Sequence, residues 1–431
     1  MMPVRRACSA ALACACAVAG LADCSSGHGP PVSTCSTPPE HAYVLDVTTS
    51  GRVRWQVPAC WPGDGPQLSP LAVGPVVVLA QFDHLYGLRL ADGHRVWSWT
   101  GSQLIAGMWQ WQGLVVVLQQ TPGLGVPSLL TGLDAGSGQV RWTLRIVWGV
   151  DGFSPTADGG LAIVRGDDTL EVVDLSSGRV RWTRPPGLDP DPAATAVAGG
   201  ALLAAANGRL TSYDERTGQV RWADQLMPAQ EGSVNAPGLQ ASAEMVYLTL
   251  PGAQGTQVLG ISAADGRVEW RFAPARIQRL NAYAPGLVSV IADSGNTWQD
   301  DLDPATGRVR WQVASSNDAM ATPAGIVTGP FTYEPKPGPD GTNQLSLHDT
   351  QTGQTRWIAE LKDFPALPVF PDGPLLIVAA ADRDGPDLLT ALRMSDGQRA
   401  WQVTIPEPTA APLSAVPGGM LVYAANALFG T

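Results

Sequence analysis

Residues 301–311 read Asp-Leu-Asp-Pro-Ala-Thr-Gly-Arg-Val-Arg-Trp, and related stretches occur nine times in the 431-residue chain. All nine copies share a glycine that is followed four residues later by a tryptophan, and successive glycines are 40 to 48 residues apart. The nine pairs are Gly51 and Trp55, Gly93 and Trp97, Gly138 and Trp142, Gly178 and Trp182, Gly218 and Trp222, Gly266 and Trp270, Gly307 and Trp311, Gly353 and Trp357, and Gly397 and Trp401. An internal period of this length indicates a repeat architecture with one supersecondary unit per copy.

Each repeat holds roughly four short β-type runs separated by Gly, Pro, Asp and Ser, and no segment has a long helical period. Four strands in a repeat of this length are typical of a β-propeller blade, so the sequence predicts an all-β propeller. The first copy supplies only two strand-like runs, and further short runs follow Trp401. We expect the two ends of the chain to complete one blade together and so to close the ring. Literal counting gives eight complete blades and this split one.

The shared glycine is expected at the turn between the third and fourth strands of each blade, where a positive φ is needed. The tryptophan then lies on the outermost strand, and its ring buries about 150–250 Å² against the next blade. Arginine directly precedes the tryptophan in six copies, and a charge on an edge strand discourages pairing between sheets. These arginines are Arg54, Arg141, Arg181, Arg221, Arg310 and Arg356.

The stretch from Leu302 to Trp311 resembles the tryptophan-docking motif of the pyrroloquinoline quinone (PQQ)-like propellers, and nine copies cover essentially the whole mature chain. That family includes quinoprotein alcohol dehydrogenases and non-catalytic envelope lipoproteins of the BamB type. The resemblance implies eight blades in total. Eight is therefore favoured, with the nine of literal counting as the alternative.

The quinoprotein enzymes of this family imply a catalytic aspartate, a Ca²⁺ held by acidic and amide side chains, and neighbouring cysteines near the quinone. This sequence has no adjacent cysteine pair, and the resemblance implies that the docking motif joins blades rather than binding the quinone. We expect no catalytic, cofactor-binding or metal-binding residue. A PQQ-dependent dehydrogenase with Ca²⁺, or another enzyme on the propeller face, is the alternative. Asp300, Asp301 and Asp303 are interpreted as turn-bonding residues.

The N-terminus has the pattern of a secretory signal peptide, because Arg5 and Arg6 precede a small-residue apolar stretch. Leu21-Ala22-Asp23-Cys24 resembles a bacterial lipobox, which predicts lipidation of Cys24. The chain then divides into a signal segment (1–24), a Pro- and Ser-rich linker (25–40) and the propeller (41–431). Ordinary cleavage, which would give a soluble extracellular protein, is the alternative.

Only Cys35 and Cys60 remain in the mature body, separated by 24 residues. In an oxidising compartment these two cysteines predict one disulfide, which would contribute about 2–4 kcal/mol. Two free thiols are the alternative.

The net charge and the tryptophans outside the repeated motif restrict the kinds of partner that we expect. A net charge of −11 argues against nucleic acid. Trp109, Trp111 and Trp148 lie outside the docking set and form a candidate surface for a sugar or peptide, unless they fill gaps between blades. We expect a monomeric scaffold on the outer face of the cell membrane that binds an envelope protein or a cell-wall component.

Overall fold

The structure, a computed structural model, describes a defined set of segments. These are residues 40–46, 52–59, 68, 70–120, 126–147, 150–165, 169–184, 194–206, 209–226, 238–252, 255–273, 277–283, 287–293, 297–314, 318–322, 325–329, 343–361, 370–372, 374–380, 387–405, 414–416 and 419–424. The chain divides into two units, Met1–Cys35 and Ser36–Thr431, and every described residue belongs to the second.

The described residues form 36 strands in nine four-stranded antiparallel sheets, numbered here in the order of the nine repeats. Sheet 1 contains β35 (Ser414–Val416), β36 (Gly419–Ala424), β1 (Glu40–Asp46) and β2 (Arg52–Ala59). Sheet 2 contains β3 (Leu71–Val73), β4 (Val76–Gln81), β5 (His84–Arg89) and β6 (Arg95–Thr100). Sheet 3 contains β7 (Leu104–Trp111), β8 (Leu114–Gln120), β9 (Ser128–Asp134) and β10 (Val140–Ile146). Sheet 4 contains β11 (Val150–Pro155), β12 (Gly160–Arg165), β13 (Leu170–Asp174) and β14 (Arg179–Arg184).

The remaining five sheets follow the same order from first to fourth strand. Sheet 5 contains β15 (Ala194–Ala198), β16 (Ala201–Ala206), β17 (Arg209–Asp214) and β18 (Val220–Gln225). Sheet 6 contains β19 (Leu239–Ala241), β20 (Met245–Gly252), β21 (Gly255–Ser262) and β22 (Val268–Phe272). Sheet 7 contains β23 (Ile277–Tyr283), β24 (Leu287–Asp293), β25 (Thr297–Leu302) and β26 (Val309–Ala314). Sheet 8 contains β27 (Asp318–Thr322), β28 (Gly325–Gly329), β29 (Asn343–His348) and β30 (Thr355–Leu361). Sheet 9 contains β31 (Phe370–Asp372), β32 (Leu375–Ala380), β33 (Asp387–Arg393) and β34 (Arg399–Ile405).

The predicted all-β, multi-blade propeller is confirmed. The described residues form one sheet more than the eight blades that the family resemblance favours, and their number equals the alternative of nine. Repeats two to nine each supply a complete sheet, and the two ends of the chain supply the other. In that split sheet, β1 pairs antiparallel with β36, from His41 opposite Ala424 to Leu45 opposite Met420.

The sheets pack face to face through their second strands, which are apolar on both sides. In β4, every residue from Val76 to Ala80 is buried. Val76 and Val78 pack in one cluster with Val115 and Val117 of the next sheet. The first strands of several consecutive sheets also contact one another, as β3 does with β7 and β11 with β15. A strand buried on both faces needs neighbours on both sides, and radial stacking supplies them. Within the described segments, no helix is long and apolar enough to cross a membrane.

Candidate functional site

The repeated motif first builds a tight turn between the third and fourth strands. In sheet 4, the Asp174 carboxylate accepts hydrogen bonds at 3.0 Å from the backbone N–H groups of Ser176 and Ser177. Gly178 donates its N–H to the Asp174 carbonyl at 2.8 Å. The eight described copies of the shared glycine have φ between 66° and 80°, as the sequence predicts for this turn. Gly51 lies outside the described residues.

Every sheet carries a β-bulge directly after this turn, which the sequence reasoning missed. In sheet 5, Trp222 lies opposite Ser212 and Val220 lies opposite Tyr213, so Arg221 is the extra, unpaired residue. The same register shift precedes the tryptophan in all nine described sheets. A bulge bends the strand and redirects one side chain. The redirected residue is the one before the tryptophan, which is usually arginine.

In sheets 3, 4, 5 and 8 the bulged arginine returns to the aspartate of its own turn, whereas Arg310 of sheet 7 pairs with Asp301. Arg221 donates to Asp214 at 2.8 Å, and Arg141 donates to Asp134 at 2.7 Å. The bond from Arg221, together with those from Thr217, lowers the pKa of Asp214 to about 2. The arginine therefore clamps the turn, which is a more specific role than the edge-strand charge expected from the sequence.

The tryptophan ring carries the contact between sheets. Seven ring N–H groups donate to a turn carbonyl of the following sheet at 2.8 to 3.1 Å, for example Trp182 to Glu215 at 2.8 Å. The ring also covers the shared glycine of that next turn. A Cβ added to Gly218 would lie 2.5 Å from Trp182. The glycine of one motif thus makes room for the tryptophan of the motif before it.

Trp142 and Trp401 are the two docking tryptophans that are not among the seven with a described ring hydrogen bond. Trp142 also lies against the next glycine, Gly178, but its ring N–H has no hydrogen-bond partner. Trp401 is buried like most of the others. The ring is buried in seven copies and half-buried at Trp142 and Trp222, and its N–H makes the hydrogen bond to the next turn in most copies.

A second glycine makes room for the same ring in three sheets. Gly87, Gly132 and Gly260 lie directly opposite Trp97, Trp142 and Trp270 on the neighbouring strand. A Cβ at these glycines would lie 2.1, 2.3 and 1.9 Å from the indole atoms. Each of these glycines precedes its tryptophan by ten residues, a spacing that the sequence already contains.

Sheet 7 places a carboxylate where those sheets have glycine. Asp301 lies opposite Trp311 and is fully buried. Its carboxylate forms an ion pair with the guanidinium of Arg310 at 2.7 Å. Its Oδ1 atom has no hydrogen-bond partner. Burial raises the pKa of Asp301 to about 7, although Arg310 opposes this shift. Asp300 is buried as well and accepts a hydrogen bond from Gln312 at 2.5 Å.

The turn-bonding interpretation of this acidic run is therefore wrong for two of its three residues. Asp303 caps the turn through Thr306 and Ala305. Asp300 and Asp301 belong to β25 and are buried between strands. The ring of Trp311 also stacks at 6.5 Å on the buried His348 of sheet 8, so two buried ionisable residues flank this tryptophan.

The candidate binding tryptophans lie near the junction of sheets 3 and 4. Trp109 and Trp111 are half-buried on β7 and pack against the core cluster shared by these sheets. Trp109 meets Phe153 edge-on at 4.8 Å, and the ring of Trp111 covers Gly159. Their role as a binding surface stays a prediction.

The other sequence-predicted site residues lie outside the described residues. They are Trp148, Cys24, Cys35 and Cys60. Within the described part of the chain, no group of three or more His, Cys, Asp or Glu side chains could hold a metal ion.

Comparison with protein families decides the assignment. A family model described as outer membrane protein assembly factor BamB matches residues 112–243 and 300–431, which together are more than half of the chain. The chain belongs to the BamB family. The matched regions span sheets 3 to 5 and the C-terminal sheets, where the motif turns described above recur.

The chain is also similar to solved structures. A crystal structure of the eukaryotic initiation factor superposes with a TM-score of 0.61 at 10% identity, covering 90% of this chain and all of that chain. BamB from Moraxella catarrhalis gives a TM-score of 0.45 at 15% identity, with 74% of this chain and 96% of that chain covered. A europium-containing methanol dehydrogenase gives 0.45 at 13% identity, with coverages of 72% and 79%. No curated protein matches the chain in sequence.

Proposed function

We propose that this BamB-family chain is a non-catalytic scaffold of the cell envelope. It is exported, anchored on the outer face of the cell membrane through a lipid on Cys24, and binds an envelope protein or a cell-wall component. The family description, an outer membrane assembly factor, supports a protein partner. The leader ending in Leu21-Ala22-Asp23-Cys24 supports export and anchoring.

The use of the motif side chains is the observation that carries this proposal. The repeated Asp accepts hydrogen bonds within its own turn, as Asp174 does from Ser176 and Ser177. The bulged Arg of sheets 3, 4, 5 and 8 clamps that Asp, and the repeated Trp covers the next glycine. The Asp and Arg groups are engaged in closing the turns and the Trp in packing neighbouring sheets, so the repeat supports a scaffold rather than a reaction centre.

The outermost strands offer a surface for a protein partner. β10, β14 and β18 each pair with only one strand of their sheet, so each has a backbone edge without a neighbouring strand in the sheet order. The first residue of β10 and of β18 and the second of β14 are exposed valines, Val140, Val220 and Val180. A partner strand that adds to such an edge gains main-chain hydrogen bonds and contacts these side chains.

The alternative, a PQQ-dependent dehydrogenase, needs a carboxylate and a set of oxygen ligands for Ca²⁺. The carboxylates of the repeated turns and that of Asp301 do not fit this need. Those of the turns accept hydrogen bonds from arginine, hydroxyl and backbone donors, and the buried Asp301 is paired with Arg310 on the third and fourth strands of its sheet. These carboxylates therefore serve contacts within the sheets, which favours the scaffold over the dehydrogenase.

Replacement of the lipobox cysteine tests the anchor. The wild-type chain is expected to carry a lipid mass at its mature N-terminus and to fractionate with membranes. Cys24→Ala is expected to lose that mass and to leave the membrane fraction. Cys16→Ala, which alters another leader cysteine, is the matched control and should behave as wild type. A wild-type chain without lipid would contradict the anchor.

Photo-crosslinking in cells tests the partner surface. A crosslinking amino acid at Val180 or Val220 is expected to give one discrete protein adduct. The same amino acid at Arg209, exposed on the third strand of sheet 5, is the control and should not give that adduct. Adducts at Arg209 but at neither valine would contradict binding through the outer strands.

A further inference from the structure

We infer that the end of the propeller that carries the β4–β5 hairpin faces the membrane, and that the exposed Phe82 at its tip contacts the lipid surface. This inference rests on the proposed lipid anchor at Cys24. It adds an orientation and a contact residue that the anchor alone does not specify.

The first step is that the sheets have two distinguishable ends. Trp55, near the start of β2, donates its ring N–H to Leu90, directly after β5, at 2.8 Å. The start of β2 and the turn between β5 and β6 therefore lie on one side, here called the turn end. The opposite side, where second strands lead into third strands, is here called the hairpin end.

The second step is that the mature chain enters the propeller at the hairpin end. β1 is the third strand of sheet 1, and its first residue, Glu40, pairs with Ala59 at the far end of β2. In sheet 2, His84 begins the third strand and pairs with Thr100 at the far end of β6. Glu40 and His84 thus occupy equivalent positions in adjacent sheets. The point where the chain arrives and the β4–β5 hairpin lie at the same end.

The third step concerns the length of the tether. Fifteen residues separate Cys24 from Glu40. A fully extended segment of this length spans at most about 50 Å. A tether of this kind keeps the hairpin end at a high effective concentration near the bilayer, so a contact that is weak by itself becomes populated.

Phe82 has the properties of a contact residue. It lies in a two-residue loop, because Gln81 pairs with His84, and its side chain is 37% exposed. Its φ is 51°, in the left-handed region that bulky residues rarely adopt. Strain of this kind at an exposed position often accompanies function, because a chain selected only for stability would place glycine there.

The loop is held in place rather than loose. The Phe82 carbonyl accepts the N–H of Ile105, and the Asp83 carbonyl accepts the N–H of Gly101, both at 2.6 Å. Gly101 lies in the connection into sheet 3, and Ile105 is the second residue of β7. The loop is therefore fixed to the neighbouring sheet, which presents the aromatic ring in a defined position.

A second apolar side chain lies at the same end. Val147 follows Ile146, the last residue of β10, and is 49% exposed. Ile146 pairs with Ser128, the first residue of the third strand, which places Val147 at the hairpin end of sheet 3. Apolar and aromatic side chains of this kind partition into the boundary between headgroups and acyl chains. The net charge of −11 disfavours an electrostatic contact with anionic lipid, so the contact is apolar.

A fluorescent reporter tests the orientation. An environment-sensitive fluorescent amino acid replaces Phe82 or, as matched control, the exposed Val220 at the turn side of sheet 5. Both lipidated chains are reconstituted on vesicles of phosphatidylethanolamine and phosphatidylglycerol that contain brominated lipid. The expected result is a blue shift and severalfold stronger quenching at position 82 than at position 220, insensitive to added salt. Equal quenching at the two positions, or a response at 82 only to a protein partner, overturns the inference.

The variant Phe82→Gly separates contact from structure. Glycine adopts the positive φ freely, so Phe82→Gly is expected to unfold at a higher temperature than wild type. The same change is expected to weaken the quenching of a reporter at Val147 severalfold. A lower unfolding temperature with unchanged quenching would show that Phe82 is only structural. Mass spectrometry of each sample separates the two proposals: a chain without lipid refutes the anchor, whereas a lipidated chain with equal reporters refutes the orientation alone.

Discussion

At the residue scale, the glycine and the tryptophan of one motif copy do not contact each other but take part in contacts with different neighbouring repeats. The tryptophan of one repeat covers the glycine of the next, as Trp182 covers Gly218. Most rings add a hydrogen bond to the same turn, but the ring N–H of Trp142 has no partner. The two terms of the docking contact, ring burial and hydrogen bond, can therefore be separated by substitution.

The hydrogen-bond term is tested by removing the ring nitrogen at two positions. Trp182→Phe loses the bond to Glu215 and is expected to lower the free energy of unfolding by about 1 kcal/mol more than Trp142→Phe. Both changes remove similar ring area, so Trp142→Phe is the matched control. Denaturant titration measures the difference. Equal losses would mean that the ring N–H contributes nothing to docking.

The glycine opposite the ring gives a second prediction. Gly132→Ala would place a Cβ 2.3 Å from the indole of Trp142, so overpacking is expected to destabilise the chain by about 1–3 kcal/mol. Gly136→Ala is the control, because its Cβ would meet only Asp134 Oδ1, at 3.5 Å. Thermal unfolding of the two variants makes the comparison. Similar unfolding temperatures would contradict the close fit between Gly132 and the ring.

At the element scale, the β-bulge explains the arginine better than its position on an edge strand does. Arg221 is the unpaired residue of its bulge, and this places its guanidinium on Asp214. A pattern of residue types cannot reveal a register shift, because a bulge changes which residues face each other without changing the spacing of the motif. The repeat length, the turn glycine and the outer tryptophan were predictable, whereas the clamp was not.

The buried Asp301 predicts how the free energy of unfolding depends on pH. Its pKa is about 7 in the folded chain and about 4 when unfolded, so the folded chain holds a proton that the unfolded chain releases between these values. The free energy of unfolding is therefore expected to fall as pH rises from about 4 to about 7, by up to about 1.4 kcal/mol per pH unit from this residue. Asp301→Asn should remove that dependence, as measured by denaturant titration at several pH values.

Asp303, two residues away, supplies the control. Burial acts to raise its pKa, but the bonds from Thr306 and the backbone hold the pKa of Asp303 below its usual value. The stabilisation of the folded chain by ionised Asp303 is present at neutral pH and is lost as pH falls below about 4. Asp303→Asn should therefore leave the dependence between about pH 4 and about pH 7 intact. The account of Asp301 fails if both variants change that range equally.

At the scale of the whole molecule, the repeat predicts the fold class and gives a literal count of nine blades, but it does not locate the site. The family resemblance favours eight blades, whereas the described residues form nine sheets, because the two chain ends add a set of strands to eight complete repeats. The buried Asp301 and the strained Phe82 break the repeat pattern. Such single departures have no periodic signal, so they emerge only when burial and backbone angles are known.

Calorimetric titration of the mature chain, residues 25–431, with PQQ in the presence of Ca²⁺ tests most directly whether these repeats serve docking rather than catalysis. If the repeated side chains are used between sheets, the titration is expected to show no binding heat, and PQQ should not raise the unfolding temperature. Tight one-to-one binding of PQQ would contradict the scaffold function and make the chain a quinoprotein.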